Sequence, residues 1–276
     1  MERELRSALD GTGFTFKKKF GQNFISDSQL LNRIVDGAGV NANSTVIEIG
    51  CGAGTLTKAI AQKAKYVYGY EIDKSLKPVL SRTLAGVNNA EIIFQDFLRL
   101  RLDEIEKGLD EYLVVANLPY YITTPLIMLF IENSKKCKSL TVMVQEEVAF
   151  RLCAKANTAD YGAITASVAL RGECTVLERV GRERFTPSPN VDSAVVRIDL
   201  SEKRLEVENE ELYKKVVKAA FAARRKTLVN NLMNSFSLSR GQAEELVISL
   251  GLDITVRGEC LSPEQFALLA NAINNK

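Results

Sequence analysis

Short apolar runs alternate along the first half of the chain with stretches whose apolar positions recur at helical spacing. Thr45-Val46-Ile47-Glu48-Ile49, Tyr66-Val67-Tyr68-Gly69-Tyr70, Ala90-Glu91-Ile92-Ile93-Phe94, Leu113-Val114-Val115-Ala116 and the run from Ser139 to Val144 read as strands. Between them lie helical stretches. The first follows the possible caps Ser26, Asp27 and Ser28 and carries Leu30, Leu31, Ile34 and Val35 on one face, ending near Gly37 or Gly39. Others cover Thr55–Ala61, Ser75 to about Leu84, Pro125–Asn133 and Glu146–Ala154. Strand alternating with helix predicts a parallel sheet of the α/β class.

The pattern then loosens. A helix near residues 163–170 precedes a strand over Glu173–Val180, a proline-rich loop from Phe185 to Ser193, and a last strand over Ser193–Ile198. The sheet is therefore expected to be mostly parallel, with late antiparallel strands. After Ser201-Glu202-Lys203-Arg204 strand signal fades, and helices are expected near 209–221, 225–234, 239–250 and 263–273, with Asn209, Ser239 and Ser262-Pro263 as start signals. The domain boundaries that follow are 1–200 for the α/β domain, with a polar N-terminal arm over residues 1–20, and 201–276 for a small all-helical domain.

Composition narrows the chemistry more than the class. With 276 residues, 46% hydrophobic and 25% charged, the chain is of ordinary globular make-up. No apolar run reaches the roughly 18–20 residues of a membrane span, and Met1 to Arg6 is followed by no signal core, so a cytoplasmic protein is expected. The five cysteines (51, 137, 153, 174 and 260) never form a Cys-x-x-Cys pair, which argues against a disulfide framework or zinc knuckle. Histidine is absent. That removes imidazole catalysis and most transition-metal sites, and no metal is expected. The net charge of +2 is small. Local clusters matter more: Lys17-Lys18-Lys19, Arg179 with Arg182 and Arg184, and Arg224-Arg225-Lys226, each beside a phenylalanine, point to a polyanionic partner.

Gly50-Cys51-Gly52-Ala53-Gly54 follows a strand and opens a helix, and Glu71 ends the next strand about 20 residues on. Glycines let backbone approach a ligand, and a carboxylate at that distance suits both hydroxyls of a ribose. The spacing is Gly-x-Gly-x-Gly with Glu48 two residues upstream, not the Gly-x-Gly-x-x-Gly of a pyrophosphate site. An acidic group favours a cofactor with a cationic aminoacyl group, such as S-adenosyl-L-methionine, over a nicotinamide dinucleotide. A ligand-free glycine turn is the third reading. Asp96, ending the third strand, suits an adenine amine or a helix N-cap. Asn23 taken alone reads as a turn residue. Asn117-Leu118-Pro119-Tyr120 ends the fourth strand at an amide, a proline that must leave the sheet, and an aromatic. That composition suits a flat base bearing an amine, or an ordinary strand-to-helix turn.

These residues together resemble the ribosomal RNA adenine dimethyltransferases of the KsgA type. The matching stretches are Gly21-Gln22-Asn23-Phe24, Glu48 to Gly54, Glu71, Gln95-Asp96-Phe97, Asn117-Leu118-Pro119-Tyr120, Phe185-Thr186-Pro187-Ser188-Pro189 leading to Val191-Asp192-Ser193, and Phe221 to Leu228. Gln95 departs from the family, which often has glycine there. The resemblance implies a Rossmann-like S-adenosylmethionine-dependent methyltransferase sheet with a helical C-terminal domain. It implies dimethylation of the amines of two adjacent adenosines near the 3′ end of small-subunit ribosomal RNA, within a pre-ribosomal 30S particle, by a monomer. Cofactor contacts carry over to Asn23, Ile25, Gly50, Glu71, Asp96 and Asn117, with Gly52, Ile72 and Phe97 beside them. Asn117 and the Leu118 carbonyl would accept the amine hydrogens, Tyr120 would stack on the base, and Phe185 would cover its other face or belong to the core. Arg224, Arg225 and Lys226 would contact phosphates from a helix, joined by Lys17, Lys18 and Lys19 on the arm. The rival readings are a large-subunit RNA methyltransferase of the macrolide-resistance kind, a non-catalytic RNA-binding assembly factor, and an NAD-dependent oxidoreductase.

Overall fold

A computed structural model describes residues 7–17, 21–201 and 205–275. Their contacts group into two compact units, one of residues 1–149 with 175–201, the other of 150–174 with 202–276.

The first unit holds a seven-stranded sheet. Its strands are β2 (Thr45–Ile49), β3 (Tyr66–Tyr70), β4 (Ala90–Ile93), β5 (Tyr112–Asn117), β6 (Cys137–Gln145), β7 (Glu173–Val180) and β9 (Ser193–Asp199), in the order β4-β3-β2-β5-β6-β9-β7. The first five pair parallel and β6 pairs antiparallel with β9, matching the expected mixture. Val46, Ile47, Val114, Val115, Leu140, Val142 and Val144 are fully buried. Strands covered on both faces explain why these segments read as continuous apolar runs and not as alternation.

The chain winds outward from β2 through β3 to β4, then returns to the other side of β2 as β5 and winds outward again to β6. The crevice between the carboxyl ends of β2 and β5 is thus the switch point where open α/β sheets hold ligands. Register brings Ile49 level with Ala116, so Gly50 and Asn117 leave the sheet side by side.

The helix Ser28–Gly37 buries the four residues that its spacing indicated, and Asp27 caps it by accepting from the Gln29 and Leu30 amides. The helix after β5 differs from expectation. It runs Tyr120–Asn133, with Pro119 as N-cap and Pro125 inside. Proline at position 125 does not start the helix because its first turn is closed from Pro119, whose carbonyl accepts the Ile122 amide at 3.1 Å. A second ribbon, which the pattern did not show, pairs β1 (Phe24–Ile25) antiparallel with β8 (Phe185–Thr186). Two-residue strands are too short for periodicity to reveal.

The second unit contains helices Ala163–Ala169, Glu210–Ala220, Leu228–Phe236, Arg240–Ser249 and Pro263–Asn274. Asn209, Ser239 and Ser262 cap three of them as their side chains suggested. Residues 150–174, expected to belong to the α/β domain, group here instead. Tyr161, Ala166 and Leu170 join this unit's core, and the Tyr213 hydroxyl donates to the Ala166 carbonyl at 2.8 Å. The helix expected from residue 225 begins at Leu228, because the Thr227 side chain caps it there. Arg224, Arg225 and Lys226 therefore lie on the turn before that helix, and all three are exposed.

Candidate active site

At the switch point lies a cavity of about 210 Å³. Its floor is the turn after β2. Gly50 has φ +79°, and a Cβ there would lie 3.4 Å from the Asn117 carbonyl oxygen. Gly52 has φ +55°, and a Cβ would meet the Phe24 ring at 2.9 Å. Both positions need glycine for conformation, and Gly52 needs it for room as well. Asn23, Ile25, Gly50, Gly52, Glu71, Ile72, Asp96, Phe97 and Asn117, drawn from five separate stretches, all line this cavity, as do Leu118, Tyr120 and Phe185.

Glu71, at the end of β3, is buried and held at both oxygens. Oε2 accepts the Gly52 amide and Oε1 the Asp73 amide, each at 2.8 Å. Burial raises its carboxyl pKa, and the two amides oppose the shift. Each oxygen keeps a second lone pair for a ligand. Glu48 is fully buried in the cavity wall, and among the described residues neither of its oxygens has a hydrogen-bond partner of normal geometry. Burial pushes its carboxyl up to about 8, and nearby Thr57 and Cys51 only partly oppose this. Asp96 caps the short turn Phe97–Arg99 by accepting from the Leu98 amide at 3.2 Å, and its other oxygen pairs with Arg99. The cap reading of Asp96 thus holds, while its place on the cavity wall keeps it beside any ligand. Ile72 and Leu98 expose large apolar surface at the same wall, 47% and 38% of each residue.

The Asn117 amide is oriented by the arm: its Nδ2 donates to the Asn23 carbonyl at 3.1 Å. The carbonyl oxygen Oδ1 is then the end left to accept from a ligand. The Asn23 amide lies 3.2 and 3.0 Å from the Gln22 and Pro187 carbonyls, and its nitrogen is assigned to that side because both are acceptors. Asn23 thereby joins the arm to the proline-rich loop, beside the β1–β8 ribbon. Because the Ile122 amide turns to the Pro119 carbonyl, it does not draw the Leu118 carbonyl into the helix.

Tyr120 is half-buried, and its hydroxyl shares a 2.8 Å hydrogen bond with Ser193 at the start of β9. Burial raises its pKa, with Ser193 opposing. Phe185 is buried in the core around the Ser28–Gly37 helix and reaches the cavity only as part of its wall. Tyr121, which the motif reading passed over, is 65% exposed at the cavity rim.

Of the arm lysines, Lys17 donates to Asp73 at 2.7 Å and to Ser75 at 2.6 Å. Its charge is matched within the chain, which removes the main reason to read it as a phosphate contact. Lys18 and Lys19 lie outside the described residues. Gln22 donates to the same Asp73 carboxylate at 2.9 Å, and rings of Phe14, Phe16 and Phe24 contact one another. Burial raises the Asp73 pKa, but Lys17, Ser75 and Gln22 outweigh it and hold the carboxyl below its usual value. The arm is therefore packed onto the turn after β3, a role that its polar composition did not suggest.

Sheet order, glycine turn and cavity together define a Rossmann-like methyltransferase. Residues 13–275 match the family model described as ribosomal RNA adenine dimethylase. The chain is 44% identical over 269 residues to the ribosomal RNA small subunit methyltransferase A of Geobacillus thermodenitrificans, covering 95% of this chain and 92% of that protein. It is 43% identical over 276 residues to the protein of the same name from Bacillus licheniformis, covering 97% and 94%. Among solved structures it resembles the 23S rRNA methyltransferase ErmE, with TM-score 0.72, 28% identity and coverage of 91% of this chain and 100% of that one. A dimethyladenosine transferase from Plasmodium falciparum shares the fold, with TM-score 0.79, 23% identity and coverage of 91% and 98%. The chain belongs to the ribosomal RNA adenine dimethylase family and is an rRNA adenine dimethyltransferase.

Proposed function

We propose that this enzyme uses S-adenosyl-L-methionine to dimethylate the amines of two adjacent adenosines near the 3′ end of small-subunit ribosomal RNA. Substrate choice rests on the relatives at 43–44% identity, whose names specify the small subunit. The large-subunit reading has a structural neighbour at only 28% identity. The same reading has it acting as a monomer, in the cytoplasm, on an assembling 30S particle. Among the described residues no helix is long and apolar enough to cross a membrane.

The residues present fit the cofactor. Glu71 offers lone pairs to ribose hydroxyls, Ile72 and Leu98 offer apolar faces to a purine, and Asp96 offers an acceptor to its amine. Gly50 and Gly52 hold the left-handed turn that lines the cavity, and Glu48 is an orphaned buried carboxyl that an ammonium group would draw toward ionisation. Asn23, Ile25 and Phe97 complete the enclosure. When bound, this cofactor supplies an electrophilic methyl group.

The observation that carries the mechanism is the Asn117–Asn23 hydrogen bond. An adenine amine is a weak nucleophile because its lone pair is delocalised into the ring. In this reading the Asn117 Oδ1 and the Leu118 carbonyl accept its two hydrogens. Accepting both pulls the nitrogen toward sp³ and localises the lone pair, so catalysis is positioning and electrostatics. The alkylated nitrogen is acidic and releases its proton to water, so no strong base is needed. Tyr120, steadied by Ser193, would stack on the extruded base, a contact worth roughly 1–3 kcal/mol. On the second unit, Arg224, Arg225 and Lys226 supply phosphate contacts from their turn.

Mass mapping of small-subunit ribosomal RNA from cells lacking the gene tests this reading. Two adjacent adenosines near the 3′ end should lose their methyl groups. Loss confined to large-subunit RNA would support the rival.

A further inference from the structure

The five cysteines are scattered in sequence, yet the fold brings two together. Cys153 follows the helix Glu146–Leu152, and Cys174 is the second residue of β7. They are 21 positions apart in the chain, and their Sγ atoms lie 2.8 Å from each other. Both are half-buried, whereas Cys51 and Cys137 are buried and Cys260 is exposed. Their position along the chain is specific as well. The backbone leaves the α/β unit after Ala149 and re-enters it at Thr175. The two thiols thus stand at the neck of the excursion that contributes Tyr161, Ala166 and Leu170 to the helical core.

We propose that Cys153 and Cys174 form a dithiol modification site that low-molecular-weight disulfides oxidise to an intramolecular disulfide closing this neck. The two sulfurs are chemically unequal. Either sulfur can donate to the other, and the contact lowers the pKa of Cys153 while it raises that of Cys174. Thiolates, not thiols, attack disulfides. The Cys153 thiolate attacks one sulfur of the external disulfide, forming a mixed disulfide and expelling one thiolate. Cys174 then loses its proton and attacks the Cys153 sulfur, expelling the second. Two protein thiols lose two electrons and two protons, and the external disulfide is reduced to two thiols. Proximity makes the second step intramolecular, so the mixed disulfide is short-lived.

Closing a loop of about 20 residues restricts the unfolded chain and should raise the unfolding midpoint of the oxidised protein by roughly 5–10 °C. The test incubates the full-length protein with oxidised glutathione under native conditions and maps peptides without reduction. The expected product is a Cys153–Cys174 cross-linked peptide pair two hydrogens lighter than the reduced peptides, with no glutathione retained at either site. In Cys174→Ser a stable glutathione adduct should accumulate on Cys153. Wild-type mapping needs no variant to fold. A persistent glutathione adduct on the wild-type pair, a cross-link to Cys260, or an unreacted pair while Cys260 reacts would each overturn the proposal.

Discussion

The switch-point cavity and the basic turn of the helical unit place polar groups under opposite conditions. In the cavity the candidate catalytic and ribose-facing side chains are tied down: Asn117 to Asn23, Tyr120 to Ser193, Glu71 to two amides. On the turn, Arg224, Arg225 and Lys226 are exposed, and among the described residues Arg224 has loose partners, Glu259 at 3.7 Å and the Ala159 carbonyl at 3.4 Å. Fixed groups in a water-poor cavity stabilise charge as it develops. Solvated cations attract a phosphate backbone without specifying geometry. The difference separates a site that should control turnover from one that should control RNA affinity.

The largest effect should come from Asn117→Ala. It removes the oriented acceptor, and kcat should fall about 100–1000-fold, the scale of losing one preorganised polar contact to a reacting group. RNA affinity in a filter-binding assay should stay within about twofold, because affinity rests on phosphate contacts. Unchanged turnover would sink the clamp mechanism. Glu71→Ala should weaken S-adenosylmethionine binding about 10–100-fold, as for lost charge-assisted hydrogen bonds, and calorimetry giving equal affinity would take Glu71 out of the ligand site.

Glu48 sharpens the comparison through pH. Its folded pKa of about 8 lies above the ordinary carboxylate value of 4.5, so its neutral form is favoured in the fold. Its contribution is full below that ordinary value and is lost as pH rises toward the folded one. Glu48→Gln should therefore flatten the decline between pH 5 and 8 by about 2–4 kcal/mol, read from urea unfolding of the ligand-free protein at the two pH values. An identical decline in both proteins would refute the buried, ionisable assignment. The smallest effect per residue belongs to the turn. Alanine at Arg224, Arg225 and Lys226 together should reduce the salt slope of RNA binding by about one per residue, with kcat at saturating RNA unchanged. A matching fall in kcat would break the division between the two regions.

Much of the α/β order was legible because buried parallel strands print apolar runs and their helices print one apolar face. Leu30, Leu31, Ile34 and Val35 are all buried as their spacing indicated. The cavity residues were legible for a different reason. Gly50, Gly52, Glu71, Asp96 and Asn117 end or follow strands, and all parallel strands of a sheet end on the same edge. Once the strands were placed, these positions had to converge. Boundaries set by competition between caps were less visible, as with Pro119 against Pro125 and Thr227 against Arg225.

Local sequence thus determined the elements, their caps and the residue types at the strand ends, since these depend on neighbours a few positions away. Tertiary structure alone decided what depends on groups far apart in the chain. It paired Phe24–Ile25 with Phe185–Thr186, matched Lys17 to Asp73 and not to solvent, and assigned residues 150–174 to the helical core. It also set Cys153 against Cys174. Each of these contacts closes a loop of tens of residues or joins strands too short to show a period, and no local pattern encodes which distant partner the collapse will select.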